Sequence, residues 1–241
     1  MKTLSFSMTL ALVLSLISRN SLAAPGEGDV SGKGWSPFQF SIYSPIQLVG
    51  ENKSITGLRL SLLYGKNTDV SGIDLGLGVS RSNSLTGIQI SGVANYVQSP
   101  YTDPPGPAGS LTRPGDEAYT AKGIQIGGLG NEVDYLSGIQ IAGIANLVRY
   151  DAIGIQIALV ANASHGTIRG IQIGGFNNFL SPKTSSVIGI QIGLLNFAGD
   201  VTGVQIGLFN ACVNLSGIQI GLLNYIEQGR FPLMPLINAK F

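Results

Sequence analysis

A four-residue pattern of glycine, aliphatic, glutamine and aliphatic recurs along most of this chain. It starts at Gly87, Gly123, Gly138, Gly154, Gly170, Gly189, Gly203 and Gly217. Two further copies start at Gly57 and Gly72 and carry Arg59 and Asp74 in place of the glutamine. Successive starts lie 15, 15, 36, 15, 16, 16, 19, 14 and 14 residues apart, and a near-constant period of this size marks a repeat architecture. The interval of 36 is one repeat plus an insertion at about residues 98–120. An asparagine follows each copy from the third onward, at Asn95, Asn131, Asn146, Asn162, Asn178, Asn196, Asn210 and Asn224. It comes eight residues after the glycine in the first five and seven after it in the last three. That difference reads as a bulge-like extra residue in the longer form.

Each copy predicts a β-strand. In the last one, Ile218, Ile220 and Leu222 alternate with Gly217, Gln219 and Gly221, a period of two with β-branched residues. One face is aliphatic and the other is glycine and glutamine. A helix would lose about 1 kcal/mol at every such glycine relative to alanine. Phe38-Gln39-Phe40 repeats the pattern ahead of the first copy, and Leu233–Phe241 ends the chain in another extended apolar stretch. Twelve strands result.

Composition removes most other classes. The 241 residues are 44% hydrophobic but 11% charged, and 14 basic residues against 13 acidic ones leave a net charge of +1. Nucleic-acid binding through a basic field is thereby excluded, since it needs clustered Lys and Arg. One cysteine, Cys212, rules out an intramolecular disulfide framework and a multi-cysteine metal site. The single histidine, His165, leaves little material for Ser-His-acid chemistry. No catalytic residue, metal ligand or cofactor is expected.

The N-terminus predicts export. Lys2 gives a basic start, Leu4 to Ile17 is mostly apolar, and Ser21-Leu22-Ala23-Ala24 offers a small-residue cleavage point, the layout of a signal peptide over 1–24. A short linker over 25–35 and a single repeat-built domain over 36–241 follow. The insertion, with Asp103-Pro104-Pro105-Gly106-Pro107, cannot pair inside a sheet, because proline lacks the backbone donor.

Two architectures accommodate the strands. The leading one is an all-β, antiparallel, up-and-down barrel of about 12 strands of the outer-membrane type, with strand lengths suited to a bilayer. Its aliphatic column would face lipid. Arg59, Asp74 and the glutamines Gln89, Gln125, Gln140, Gln156, Gln172, Gln191, Gln205 and Gln219 would face the lumen. Phe241, with Ile237 and Ala239, would act as an insertion signal read by barrel-assembly machinery. The proline-interrupted first and last strands would meet at a closure seam. Such a barrel would be non-enzymatic, with a structural, passive-pore or surface-interaction role. The alternative is a β-solenoid, secreted or surface-attached and acting as an adhesin-like binding protein, in which each repeat is one coil and the glutamines and asparagines stack as ladders.

The Gly-Ile-Gln-Ile-Gly-Leu-Leu-Asn units at 189–196 and 217–224, together with the segment 233–241, resemble the surface repeat-containing proteins of leptospires and similar repeats in other Gram-negative bacteria. The likeness covers about residues 36–241. It implies the bacterial outer membrane or cell surface, with membrane lipid as a partner. That family is named for its location and its repeats, so the likeness implies no activity and no surface ligand. Arg59, Asp74 and the proline-rich insertion depart from it.

Three residue groups carry alternatives. The glutamine column is either a pore or solute-binding lining or a structural hydrogen-bonding layer. Arg59 and Asp74 form either a selectivity element or a lone cross-strand ion pair of little energetic weight. Cys212 reads as a small apolar filler, and His165 as a surface residue in a turn.

Overall fold

The computed structural model describes residues 34–98, 120–178, 183 and 185–241. The segment expected to be a signal peptide (1–24), most of the expected linker (25–35) and nearly all of the insertion lie outside the described residues. The unit described here runs from Lys33 to Phe241. It is built from β1 (Trp35–Tyr43), β2 (Ile46–Gln47), β3 (Ser54–Gly76), β4 (Val79–Ser91), β5 (Ala94–Val97), β6 (Thr120–Gly127), β7 (Gly130–Val133) and β8 (Tyr135–Ala142). There follow β9 (Ala145–Val148), β10 (Ala152–Ala158), β11 (Ala161–Ser164), β12 (Thr167–Asn177), β13 (Ser186–Ile206), β14 (Phe209–Ile226) and β15 (Leu233–Lys240).

These strands do not close a barrel. They wind into a parallel β-solenoid of about 10 turns, which overturns the antiparallel barrel expected above. The register decides it. Gly138, Ile139, Gln140 and Ile141 of β8 lie beside Gly154, Ile155, Gln156 and Ile157 of β10, and the strands are parallel. The same like-on-like alignment joins β4 to β6, β6 to β8, β10 to β12, β12 to β13 and β13 to β14. An up-and-down barrel requires each repeat to run against the next. Here every repeat completes a full circuit before it meets its neighbour.

Each circuit has two walls. One carries the Gly-aliphatic-Gln-aliphatic rungs, and the other carries the asparagines of β5, β7, β9 and β11. The longer strands β3, β4, β12, β13 and β14 continue around a bend from one wall to the other. All twelve sequence segments become rungs of the glutamine wall, with β1 at one end and β15 at the other. Only β15 reverses: it pairs antiparallel with β14, placing Ile237 opposite Ile220 and Asn238 opposite Gln219. β1 pairs with β2 and β3, and β15 with β14, so the two ends do not meet and the expected seam is absent.

The extra residue of the longer repeats is not a strand bulge. It sits in the bend between the walls, where four residue steps separate Ile157 from Ala161 but three separate the aligned Ile173 from Phe176. Because of this, Asn177 and not Asn178 pairs with Asn162 and Asn196. Asn178 adopts a left-handed conformation (φ 54°) and accepts a hydrogen bond from the Ser164 amide at 3.1 Å.

The ten repeat glycines all have φ between 124° and 149°, a region open essentially to glycine alone. A Cβ on Gly154 would also overlap the carbonyl oxygen of Gly138 on the coil before it. Each coil therefore needs its glycine for both reasons. Two residues earlier, an apolar column including Ile55, Leu85, Leu136, Ile168 and Leu215 is buried and forms the hydrophobic seam of the coil.

Candidate functional site

The glutamines point inward. Gln89, Gln140, Gln172, Gln191, Gln205 and Gln219 are fully buried, as are Arg59 and Asp74. The lumen-facing role expected of these residues fails with the barrel: they fill a narrow interior. Their side-chain amides form one unbroken chain. Gln219 Nε2 donates to Gln205 Oε1 at 2.7 Å, Gln205 to Gln191 at 2.6 Å, and Gln191 to Gln172 at 2.9 Å. The chain continues from Gln172 to Gln156 at 2.9 Å, Gln156 to Gln140 at 3.1 Å, Gln140 to Gln125 at 3.0 Å and Gln125 to Gln89 at 2.8 Å. Every amide donates toward the N-terminal end.

Asp74 closes that chain. Its Oδ2 accepts from Gln89 Nε2 at 2.7 Å, and its carboxylate takes a two-pronged contact from Arg59, with Nε to Oδ1 at 2.8 Å. Arg59 Nη1 also donates to the Arg81 carbonyl at 2.9 Å. Gln39 occupies the next place in the column, beside Arg59, and both receives from and donates to the backbone of Val49. The two residues that break the repeat are therefore the cap of its ladder. Since both are wholly buried, they are not the lightly weighted pair considered from sequence: losing one partner would strand a charge in the interior.

The asparagines form a second ladder of opposite sense. Asn95 donates to Asn131 and Asn131 to Asn146, both at 2.8 Å. Each Nδ2 also reaches a backbone carbonyl one coil on, as from Asn162 to Ile173 at 2.9 Å. Asn177 belongs to this ladder and was missed in the sequence, where the Asn177-Asn178 doublet offers two equal choices. The acceptor tails of the two ladders, Gln219 Oε1 and Asn95 Oδ1, are among the buried atoms without a partner. That follows from counting, since a row of amides that each donate one way leaves one acceptor over at its tail.

The outer face of the glutamine wall has a different character. The two positions flanking each Gln, Arg59 or Asp74 point outward, and over ten repeats all twenty are Leu, Ile or Val. Ile73 is 46% exposed, Ile90 38% and Ile220 43%. Beyond them, at the bend, Leu77 is 73% and Leu159 81% exposed. β1 extends the columns with Phe38 and Phe40, and β15 with Ile237 and Ala239. By contrast, the asparagine wall holds a charged pair, in which Arg149, partly exposed, meets the largely buried Glu132 at 2.7 Å.

The remaining sequence candidates separate from these features. His165 is exposed on a bend after β11. Cys212 is buried and free, and burial, with Asp200 nearby, pushes its thiol up to about 12. Phe241 lies just past β15 and is 93% exposed, with no barrel strand for it to mark. Among the described residues, no group of three or more His, Cys, Asp or Glu is placed to hold a metal ion.

Comparison of the chain with protein-family models, with curated proteins and with solved structures finds no match.

Proposed function

We propose that this chain is an exported, non-catalytic β-solenoid that works by binding at a bacterial cell surface, with the outer face of the glutamine wall as its contact surface. One observation carries the reading: twenty outward positions in two columns, every one aliphatic, on a wall whose inner side is locked by an amide ladder. Soluble proteins seldom expose contiguous apolar patches of more than a few hundred Å², and larger ones mark interaction sites. The ladder adds preorganisation, because side chains held at fixed spacing lose little freedom on binding. The apolar segment Leu4–Ile17 before Ser21-Leu22-Ala23-Ala24 supports export, and the resemblance to leptospiral surface repeats supports the surface location.

The test is display of the full chain in a Gram-negative host, with proteinase K treatment of intact cells and adhesion of those cells to octyl-coated beads. Cells should lose the protein to the protease, and Ile139→Lys with Ile171→Lys should lower bead adhesion several-fold at equal display. Full protection on intact cells would overturn the surface reading. Unchanged adhesion by the double variant would overturn the assignment of the wall.

A further inference from the structure

We infer that the occupant of the aliphatic wall is the same wall of a second copy of this chain, so that the protein binds by homotypic pairing. This inference rests on the reading of the wall as a binding surface and names its partner.

Three features of the wall select a second copy. The first is area. Twelve rungs at about 4.8 Å spacing give a wall about 50 Å long, and the strip from the first aliphatic column to the bend is about 15 Å wide. Pairing two such strips would cover about 1,500 Å² in total, within the range of specific, stable protein interfaces. The second is shape. Two walls with one rung spacing interlock along their whole length, the aliphatic columns of one lying between those of the other, as in face-to-face sheet packing. A patch that is complementary to itself is what a two-fold interface needs.

The third is charge. The twenty flanking positions hold no charged residue, and in the neighbouring outward column the basic groups are Lys122 and Arg169, 47 residues and three coils apart. Attraction to an anionic lipid surface draws on clusters of several Lys or Arg, which this wall lacks. Its one-sided apolar character is also what a paired sheet face requires: the charged Arg149–Glu132 pair lies on the other wall, away from this face.

Sedimentation velocity on the full chain, in buffer without detergent and across a micromolar concentration series, tests the pairing. A species of twice the 25.1 kDa chain mass is expected, reverting to the single-chain mass in the Ile139→Lys, Ile171→Lys variant with unchanged circular dichroism. A second variant guards against misfolding of the first. Ile155 lies on one of the two central rungs, which come within one rung of their counterpart in either two-fold arrangement, so Ile155→Cys should be joined between chains by a bismaleimide, whose reach spans facing sheets about 10 Å apart. Cys212, being buried, gives no such background.

A dimer that survives both lysines and yields no Ile155→Cys crosslink would overturn the pairing, as would a monomer at every concentration. The monomer outcome divides further. If the monomer still adheres to octyl-coated beads or binds phosphatidylglycerol vesicles in a way the lysines abolish, the wall is a binding surface for another partner and only the homotypic inference falls. If the lysines change nothing, both readings fall.

Discussion

Gln89 donates its side-chain amide to the carboxylate of Asp74 at 2.7 Å, and this bond ends a row of eight glutamines that all donate in the same direction. A carboxylate accepts and never donates, so it is a natural terminus for such a row. Arg59 then balances the charge. The consequence is a sharp non-additivity. Asp74→Gln alone leaves Arg59 buried without its counter-ion, and the loss of one partner from a buried pair costs about 3–5 kcal/mol. Combining it with Arg59→Gln should recover most of that loss, because two more glutamines extend the ladder toward Gln39. Urea unfolding of both singles and the double would show it, and additive effects would argue against the cap.

The ladder's interior links are equally exposed to test. Gln156 accepts from Gln172 and donates to Gln140, so Gln156→Leu strands one donor and one acceptor. At about 1–3 kcal/mol for each buried unsatisfied group, a loss of several kcal/mol is expected in chemical denaturation.

Gln156→Glu gives a pH signature. A protonated Glu can accept from Gln172 and donate to Gln140, whereas the ionised form cannot donate and is buried as a charge. The folded pKa is therefore raised above its unfolded value near 4.3. For such an acid the protonated state is the one the fold prefers, so stability is fully present below the unfolded pKa and falls as pH rises through it. Melting temperatures at pH 4 and pH 7 should differ in the variant, lower at pH 7, by more than in the wild type.

The glycine column predicts a contrast between neighbours. Gly154→Ala must place a Cβ against the Gly138 carbonyl at a φ of 134°, and should be among the most disruptive single substitutions in the chain. Ile155→Val, one residue on and outward-facing, should change stability by no more than about 0.5 kcal/mol. Thermal unfolding of the two variants side by side checks the pair.

Alkaline pH should loosen the asparagine wall. Burial holds Cys212 at about 12, and burial together with the nearby Glu132 holds Tyr96 at about 12. In both, the folded state keeps the proton that the unfolded chain gives up near pH 9 to 10. Stability should fall as pH rises from there toward 12, and Cys212→Ala should soften the fall. The same burial predicts that Cys212 is labelled by iodoacetamide at pH 8 only after unfolding, since the thiolate is the nucleophile.

Much of this was legible in the repeat itself. Period-two alternation around Gln140 or Gln205 identifies strands, because side chains on a strand point alternately to two faces. The glycine at the head of each copy tells against a helix. The chain's low charge and single His165 and Cys212 narrow the chemistry. What periodicity cannot convey is which face is inside. Alternation reads the same whether the aliphatic residues face lipid, core or water, and the familiar preference for apolar interiors points the wrong way here.

Only the tertiary structure decided the direction of each strand's neighbour. Parallel coils bring Gln onto Gln and Asn onto Asn, where an amide can give and take one hydrogen bond with its own kind, so the polar residues become the buried ones. The same geometry turned Arg59 and Asp74 from two irregularities into one cap, and chose Asn177 over Asn178 through a bend one residue shorter. The sequence alone determined the rungs and their number. How they stack, and therefore that the aliphatic columns face outward as a surface, depended on long-range pairing between coils, which no local pattern encodes.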